Sequence, residues 1–84
     1  MSLGEQFTEA QDRIKTLSTR PSNEQLLELY ALFKQGSVGD VQGSRPGMFD
    51  LKGRAKFDAW AGKKGMSQDA AKQAYVDLVA RMTA

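Results

Sequence analysis

Cysteine and histidine are both missing from this 84-residue chain, and proline appears only twice. Without cysteine there are no disulfides, no thiolate nucleophile and no thiolate metal site. Without histidine the commonest general base and the commonest metal ligand are gone. Catalysis would have to rest on carboxylates, lysines and hydroxyls, so binding is the better expectation, with no cofactor and no metal. Long apolar runs are lacking too: none approaches the ~18 residues of a membrane span. The opening residues Met1-Ser2-Leu3-Gly4-Glu5 hold neither the basic region nor the apolar stretch of a signal peptide, so the expected address is cytoplasmic. No β-alternation, internal repeat or low-complexity run occurs.

What is present suits one globular domain spanning residues 1–84: apolar residues make up 40% and charged residues 26%. The net charge is only +2, but it is unevenly spread. Between Lys34 and Lys64 seven basic residues (Lys34, Arg45, Lys52, Arg54, Lys56, Lys63 and Lys64) stand against Asp40, Asp50 and Asp58, a local net of +4. The middle of the chain either meets an anion or carries a solvated basic face.

Period and punctuation predict four helices. Phe7, Ala10, Ile14 and Leu17 recur at helical spacing, with Glu9–Arg13 as an i,i+4 pair, and this helix stops near Thr19-Arg20-Pro21. Ser22-Asn23-Glu24-Gln25 reads as a capping box opening a second helix, in which Leu26, Leu29, Tyr30 and Phe33 mark one face, Leu27 widens it and Gly36 ends it. Residues 36–49 hold four glycines and Pro46, which excludes helix and strand. Arg45-Pro46-Gly47 reads as a tight turn with proline then glycine at its centre. So long a connection lets two consecutive helices run in the same direction. Asp50 is the N-cap of a third helix carrying Leu51, Phe57, Trp60 and Ala61, and Trp60 is assigned to the core. Ser67 caps a fourth helix with a stripe of Ala71, Tyr75, Leu78 and Met82. The fold class is all-α.

The third helix opens against the rule. Lys52, Arg54 and Lys56 occupy its first turns, where the helix dipole favours acids by about 0.3–1 kcal/mol each. Lys52 and Lys56 are also a like-charge i,i+4 pair, offset in part by Asp50 and an expected Arg54–Asp58 pair. A phosphate over Lys52 and Lys56 would explain this; so would a solvated basic face. On the second helix Tyr30, Phe33 and Lys34 are neighbours, two rings and an ammonium that suit a nucleotide, although an aromatic stripe at this spacing is more often core. Tyr75 lies on an apolar stripe, where its hydroxyl needs a partner. Gly36-Ser37-Val38-Gly39 does not match a phosphate loop, and no pair of carboxylates suggests an acid/base dyad.

The run from Leu29 to Asp40 (LYALFKQGSVGD), then Arg45-Pro46-Gly47-Met48, then Gly53 to Trp60 (GRAKFDAW) closely resembles the acyl-CoA-binding protein family. The likeness extends from Phe7 to about Met82 and includes Ala74-Tyr75-Val76-Asp77. It implies a four-helix up-down-down-up bundle that binds long-chain fatty acyl-CoA thioesters, with the long loop between helices 2 and 3. By matching position it implies Tyr30, Lys34, Lys52, Lys56 and Tyr75 as polar ligand contacts. Lys34 and Lys56 would hold the ribose 3′-phosphate, Phe33 would lie against adenine, and Lys15 would be a further binding lysine. Leu26 and Leu27 would help line the acyl groove. Departures are Phe33 for the family's tyrosine, Arg54 for lysine, Phe57 for tryptophan and Gly36 for alanine. The implied role is a monomeric carrier and pool former for acyl-CoA, serving acyl-CoA-using enzymes without chemistry of its own.

Two other classes compete. A nucleic-acid or polyanion binder using the +4 segment predicts affinity falling steeply with salt, but its basic residues are few and interleaved with acids. A helical protein-interaction module would use Tyr30 and Phe33 as partner anchors. A thioesterase ranks last, and no nucleic-acid partner is expected.

Overall fold

Ser2, Ser22, Asp50 and Ser67 each stand one residue ahead of a helix, and each accepts a hydrogen bond from the backbone N–H three residues on. Such caps are worth about 0.5–2 kcal/mol apiece and set where four helices begin. The computed structural model describes residues 1–84, with α1 at Leu3–Ile14, α2 at Asn23–Ser37, α3 at Leu51–Ala61 and α4 at Gln68–Met82. The boxes at Ser2/Glu5 and Ser22/Gln25 are reciprocal, because the Glu5 and Gln25 side chains accept from the cap residue's own N–H. The first box, in the opening residues, is a helix start that the sequence reading passed over.

Helix directions follow from who touches whom. Phe7 meets Tyr75 and Arg13 meets Thr83, so α1 and α4 run the same way. Phe33 meets Tyr75 while Gly36 abuts Lys72, so α2 opposes α4. Tyr30 meets Lys56 and Lys34 meets Trp60, so α2 and α3 are parallel. The order is therefore up, down, down, up, as the long loop allows. Backbone packing joins α1 to α4, α4 to α2 and α2 to α3 in a chain, which gives a slab of 39 × 29 × 14 Å with α3 at one edge.

The core lies between α1, α2 and α4: Phe7, Ala10, Leu29, Leu32, Tyr75 and Val79 form its buried cluster. Here the expected faces shift. On α2 the buried residues are Leu29, Ala31, Leu32, Gln35 and Gly36, while Leu26, Leu27, Tyr30 and Phe33 turn toward the surface or only half-bury. On α4 the inward line is Ala71, Tyr75 and Val79, with Leu78 and Met82 at its margin. Gly36 does not end α2. It is buried inside the helix where α4 crosses, and a Cβ there would come within 3.0 Å of Lys72 Cγ and 3.3 Å of its backbone nitrogen. The first helix is shorter than its apolar spacing predicted: it ends at Ile14, and Leu17 falls in the connection.

The α2–α3 loop is fastened by polar groups rather than apolar ones. Gln35, 0% exposed, donates through Nε2 to Asp40 Oδ1 and to the Met66 carbonyl, both at 2.8 Å. Asp40 Oδ1 also accepts from the Gly65 N–H at 2.9 Å, so one carboxylate ties the end of α2 to the α3–α4 turn. Those two hydrogen bonds, from Gly65 first and Gln35 second, hold the Asp40 carboxyl below its ordinary pKa. The expected turn centred on Pro46-Gly47 sits two residues later. Asp50 donates its N–H to the Gly47 carbonyl at 3.0 Å, leaving Met48 and Phe49 at the centre, and Gly47 does not take a positive φ.

Candidate functional site

The parallel run of α2 beside α3 converts two i,i+4 pairs into a square. Tyr30 and Lys34 lie one turn apart on α2, and Lys56 and Trp60 lie one turn apart on α3. Each lysine reaches the ring across the seam: Lys34 Nζ is 5.0 Å from the Trp60 centroid and Lys56 Nζ 5.3 Å from that of Tyr30. Such contacts are worth about 0.5–1 kcal/mol when exposed, enough to bias a rotamer but not to neutralise a charge.

That distinction matters, because the carboxylates nearby are engaged elsewhere. Asp58 takes a bidentate pair from Arg45, with Nε donating at 2.9 Å and Nη2 at 2.7 Å. The pair lowers the Asp58 pKa and raises that of Arg45. It also corrects the expected Arg54–Asp58 pair, since Arg54 acts on Asp58 only as a neighbouring charge. Asp50 caps α3, and Asp40 serves Gly65 and Gln35. The ion pairs of the chain are Lys15–Asp12, Arg45–Asp58 and Lys63–Glu28. Lys34, Lys52 and Lys56 have no carboxylate partner, so their charge faces outward uncompensated.

One turn toward the N-terminal ends of both helices, the seam opens into a groove of about 410 Å³. Leu26, Leu27, Leu51 and Ala55 supply its apolar lining, and Arg20, Asn23, Lys52 and Lys56 its polar rim. Lys56 belongs to both the groove and the square. Apolar lining with cationic groups on its rim suits an amphipathic anion. Of the α2 side chains that are not buried in the core, Leu26, Leu27 and Tyr30 line this seam, and α3 contributes no buried residue at all.

Trp60 is accordingly corrected from core to seam. It is half-buried, outside the core cluster, and its indole N–H donates to the Gly39 carbonyl at 2.8 Å, holding the ring beneath Lys34. Sequence reasoning missed it as a site residue, although the Lys56-x-x-x-Trp60 spacing mirrors Tyr30-x-x-x-Lys34. Phe33 is half-buried and packs inward: its ring lies 6.0 Å from Phe7, nearly parallel, and 6.5 Å from Tyr75. Tyr75 is buried edge-on to Phe7 at 5.1 Å, and desolvation raises its phenol pKa. Its hydroxyl pairs with nothing in the chain yet is not sealed, since the one sealed side-chain polar atom lacking a partner is Gln35 Oε1. The hydroxyl is therefore free to meet a ligand. Lys15 caps the far end of α1, exposed and 4.0 Å from Asp12, with no contact to the seam. No group of three or more acidic side chains gathers to hold a metal ion.

Known proteins resemble this chain along nearly its whole length. Residues 4–79 match the family model described as acyl CoA binding protein. An acyl-CoA-binding protein homolog of Caenorhabditis elegans is 58% identical over 78 residues, covering 93% of this chain and 91% of that one. A Drosophila melanogaster homolog is 49% identical over 82 residues, covering 98% and 95%. The crystal structure of Oryza sativa acyl-CoA-binding protein 2 superposes with a TM-score of 0.91 at 44% identity, covering 95% of this chain and 89% of that one.

Proposed function

Because this chain belongs to the acyl-CoA-binding protein family, we propose that residues 1–84 act as one domain that holds a long-chain acyl-CoA thioester along the α2–α3 seam. The chain binds fatty acyl-CoA without covalent chemistry and acts as a carrier for it. The observation that supports this placement is the continuity of the seam: apolar groove, shared Lys56, then the ring-and-lysine square.

In this reading Leu26, Leu27 and Ala55 take the acyl chain, each buried methylene contributing about 0.8 kcal/mol. Lys34, Lys52 and Lys56 take the CoA phosphates through charge-assisted hydrogen bonds, and Tyr30 and the free Tyr75 hydroxyl add polar contacts. The half-exposed face of Phe33 meets adenine, its other face being committed to Phe7. Lys15 joins only if the ligand reaches the end of α1. The thioester leaves as it entered, since no nucleophile with an adjacent base lines the groove.

Calorimetric titration with palmitoyl-CoA, with free CoA and palmitate as controls, tests this at two salt concentrations. One-to-one binding of the thioester, far tighter than either half and weaker in high salt, is the expected result. Affinity that ignores chain length would remove the acyl groove from the reading, and silence with all three ligands would remove the function.

A further inference from the structure

The groove has a polar far end that the head of the ligand leaves unused. Its sides follow two parallel helices, so place along the seam can be read from residue number. Lys34 beside Trp60 comes first, then Tyr30 beside Lys56, then Leu26 and Leu27 with Lys52 and Ala55. Beyond them stand Asn23, the first residue of α2, and Arg20, in the connection that precedes it. Lys34 and Asn23 are separated along α2 by roughly 16 Å, at about 1.5 Å of rise per residue.

A methyl-ended chain gains nothing from a guanidinium at its tip, and this one is free. Arg20 takes part in none of the ion pairs of the chain. It borders two hollows, the groove and a second one below the end of α4 that Leu17, Gln25 and Met82 also line, and no acidic side chain lines either. Glu28, one turn along α2 from Glu24, is held by Lys63 outside the groove. We propose that this end of the groove receives the ω-carboxylate of a dicarboxylic acyl chain, so that the cargo includes CoA monothioesters of long-chain dicarboxylic acids as well as of fatty acids. The proposal rests on the acyl-CoA reading above and deepens it. A carboxylate drawn along an apolar groove loses water and is rejected unless a charged partner meets it there. The Arg20 fork offers two parallel N–H donors to such a group, and the exposed Asn23 amide beside it can donate a third. Only a long chain carries its far end past Leu26 and Leu27 to reach them.

Calorimetric titration with palmitoyl-CoA, hexadecanedioyl-CoA and hexanedioyl-CoA, on the wild type, Arg20→Met and Arg20→Lys, tests the tail site. Palmitoyl-CoA is the internal reference in each protein, since its binding reports an intact fold and groove. The wild type should bind hexadecanedioyl-CoA within about threefold of palmitoyl-CoA, because the guanidinium offsets the lost hydration. Arg20→Met should weaken hexadecanedioyl-CoA by about tenfold or more relative to palmitoyl-CoA, as the loss of one charge-assisted pair requires. Arg20→Lys, which keeps the charge without the fork, should lose less. Hexanedioyl-CoA is too short to reach Arg20 and should be indifferent to either substitution. A wild type that rejects hexadecanedioyl-CoA by about tenfold or more, or a ratio that Arg20→Met leaves unchanged, overturns the tail site and leaves the acyl-CoA reading standing. Equal losses for the long and short diacids also overturn it, because Arg20 would then be a diffuse attraction and not a contact. A wild type that ignores palmitoyl-CoA altogether would remove the acyl-CoA reading itself, and the tail site with it.

Discussion

Lys34 and Lys56 each rest on a ring of the opposite helix, and that placement separates their effect on stability from their effect on binding. An ammonium over an exposed ring contributes about 0.5–1 kcal/mol. The same ammonium on a phosphate makes a charge-assisted bond worth about 1.5–3 kcal/mol. Lys34→Ala should therefore move the denaturation midpoint little while weakening palmitoyl-CoA by roughly tenfold or more. Equilibrium denaturation and calorimetry on the same variant check both halves; a variant that unfolds readily and binds normally would make Lys34 a structural strut. Tyr30, Lys34, Lys52 and Lys56 were legible as candidates because helical spacing alone makes them neighbours or an odd charge pattern. Trp60 was not, since its assignment depends on Gly39, twenty-one residues away and joined to it only in the folded chain. The partner of Asp58 was hidden for the same reason: Arg45 comes from the loop, not from the same helix.

Among the elements, α3 stands apart. It packs on α2 alone and buries no residue, and polar ties anchor its surroundings: Trp60 to Gly39, Asp58 to Arg45, Lys63 to Glu28, and the Asp40 knot. Elements with few buried apolar contacts open at low free energy. Amide exchange in α3 should accordingly be faster than in α2 and α4, and should slow when palmitoyl-CoA spans the seam. Equal protection of all helices in the empty protein would contradict that. The Asp40 knot adds a pH dependence. Its carboxyl is lowered in the folded state, so its contribution is complete above the ordinary carboxylate range and is lost as pH falls through the lowered value. The melting temperature of wild type over Asp40→Asn should be highest at neutral pH and the gap should close in acid; a gap constant with pH would refute the assignment. Helix starts were legible at Ser22, Asp50 and Ser67 because a cap is a local bond. The inward faces were less so: Leu26 and Leu29 look alike in the sequence, and only the position of α4 sends Leu29 inward.

The molecule as a whole is a slab 14 Å through its thinnest direction, with its buried cluster confined to three helices and the seam at one edge. A chain of this size lives on a small margin, of order 0.05–0.15 kcal/mol per residue. Bound acyl-CoA adds to it by mass action, about 2.7 kcal/mol at a hundredfold excess over Kd. Heating the protein with increasing palmitoyl-CoA should therefore raise its melting temperature by several degrees, tracking ligand concentration, whereas free palmitate should not. The fold class and helix order were accessible from spacing and resemblance, while the edge position of α3 was not, because it depends on which elements fail to touch.

That edge has a consequence for the life of the protein. A helix with no core of its own is the natural first cut for a protease, and a bound acyl chain would give α3 the apolar contacts it lacks. Filled copies would then outlast empty ones, and the amount of protein in a cell would follow the supply of its cargo without any sensor or signal.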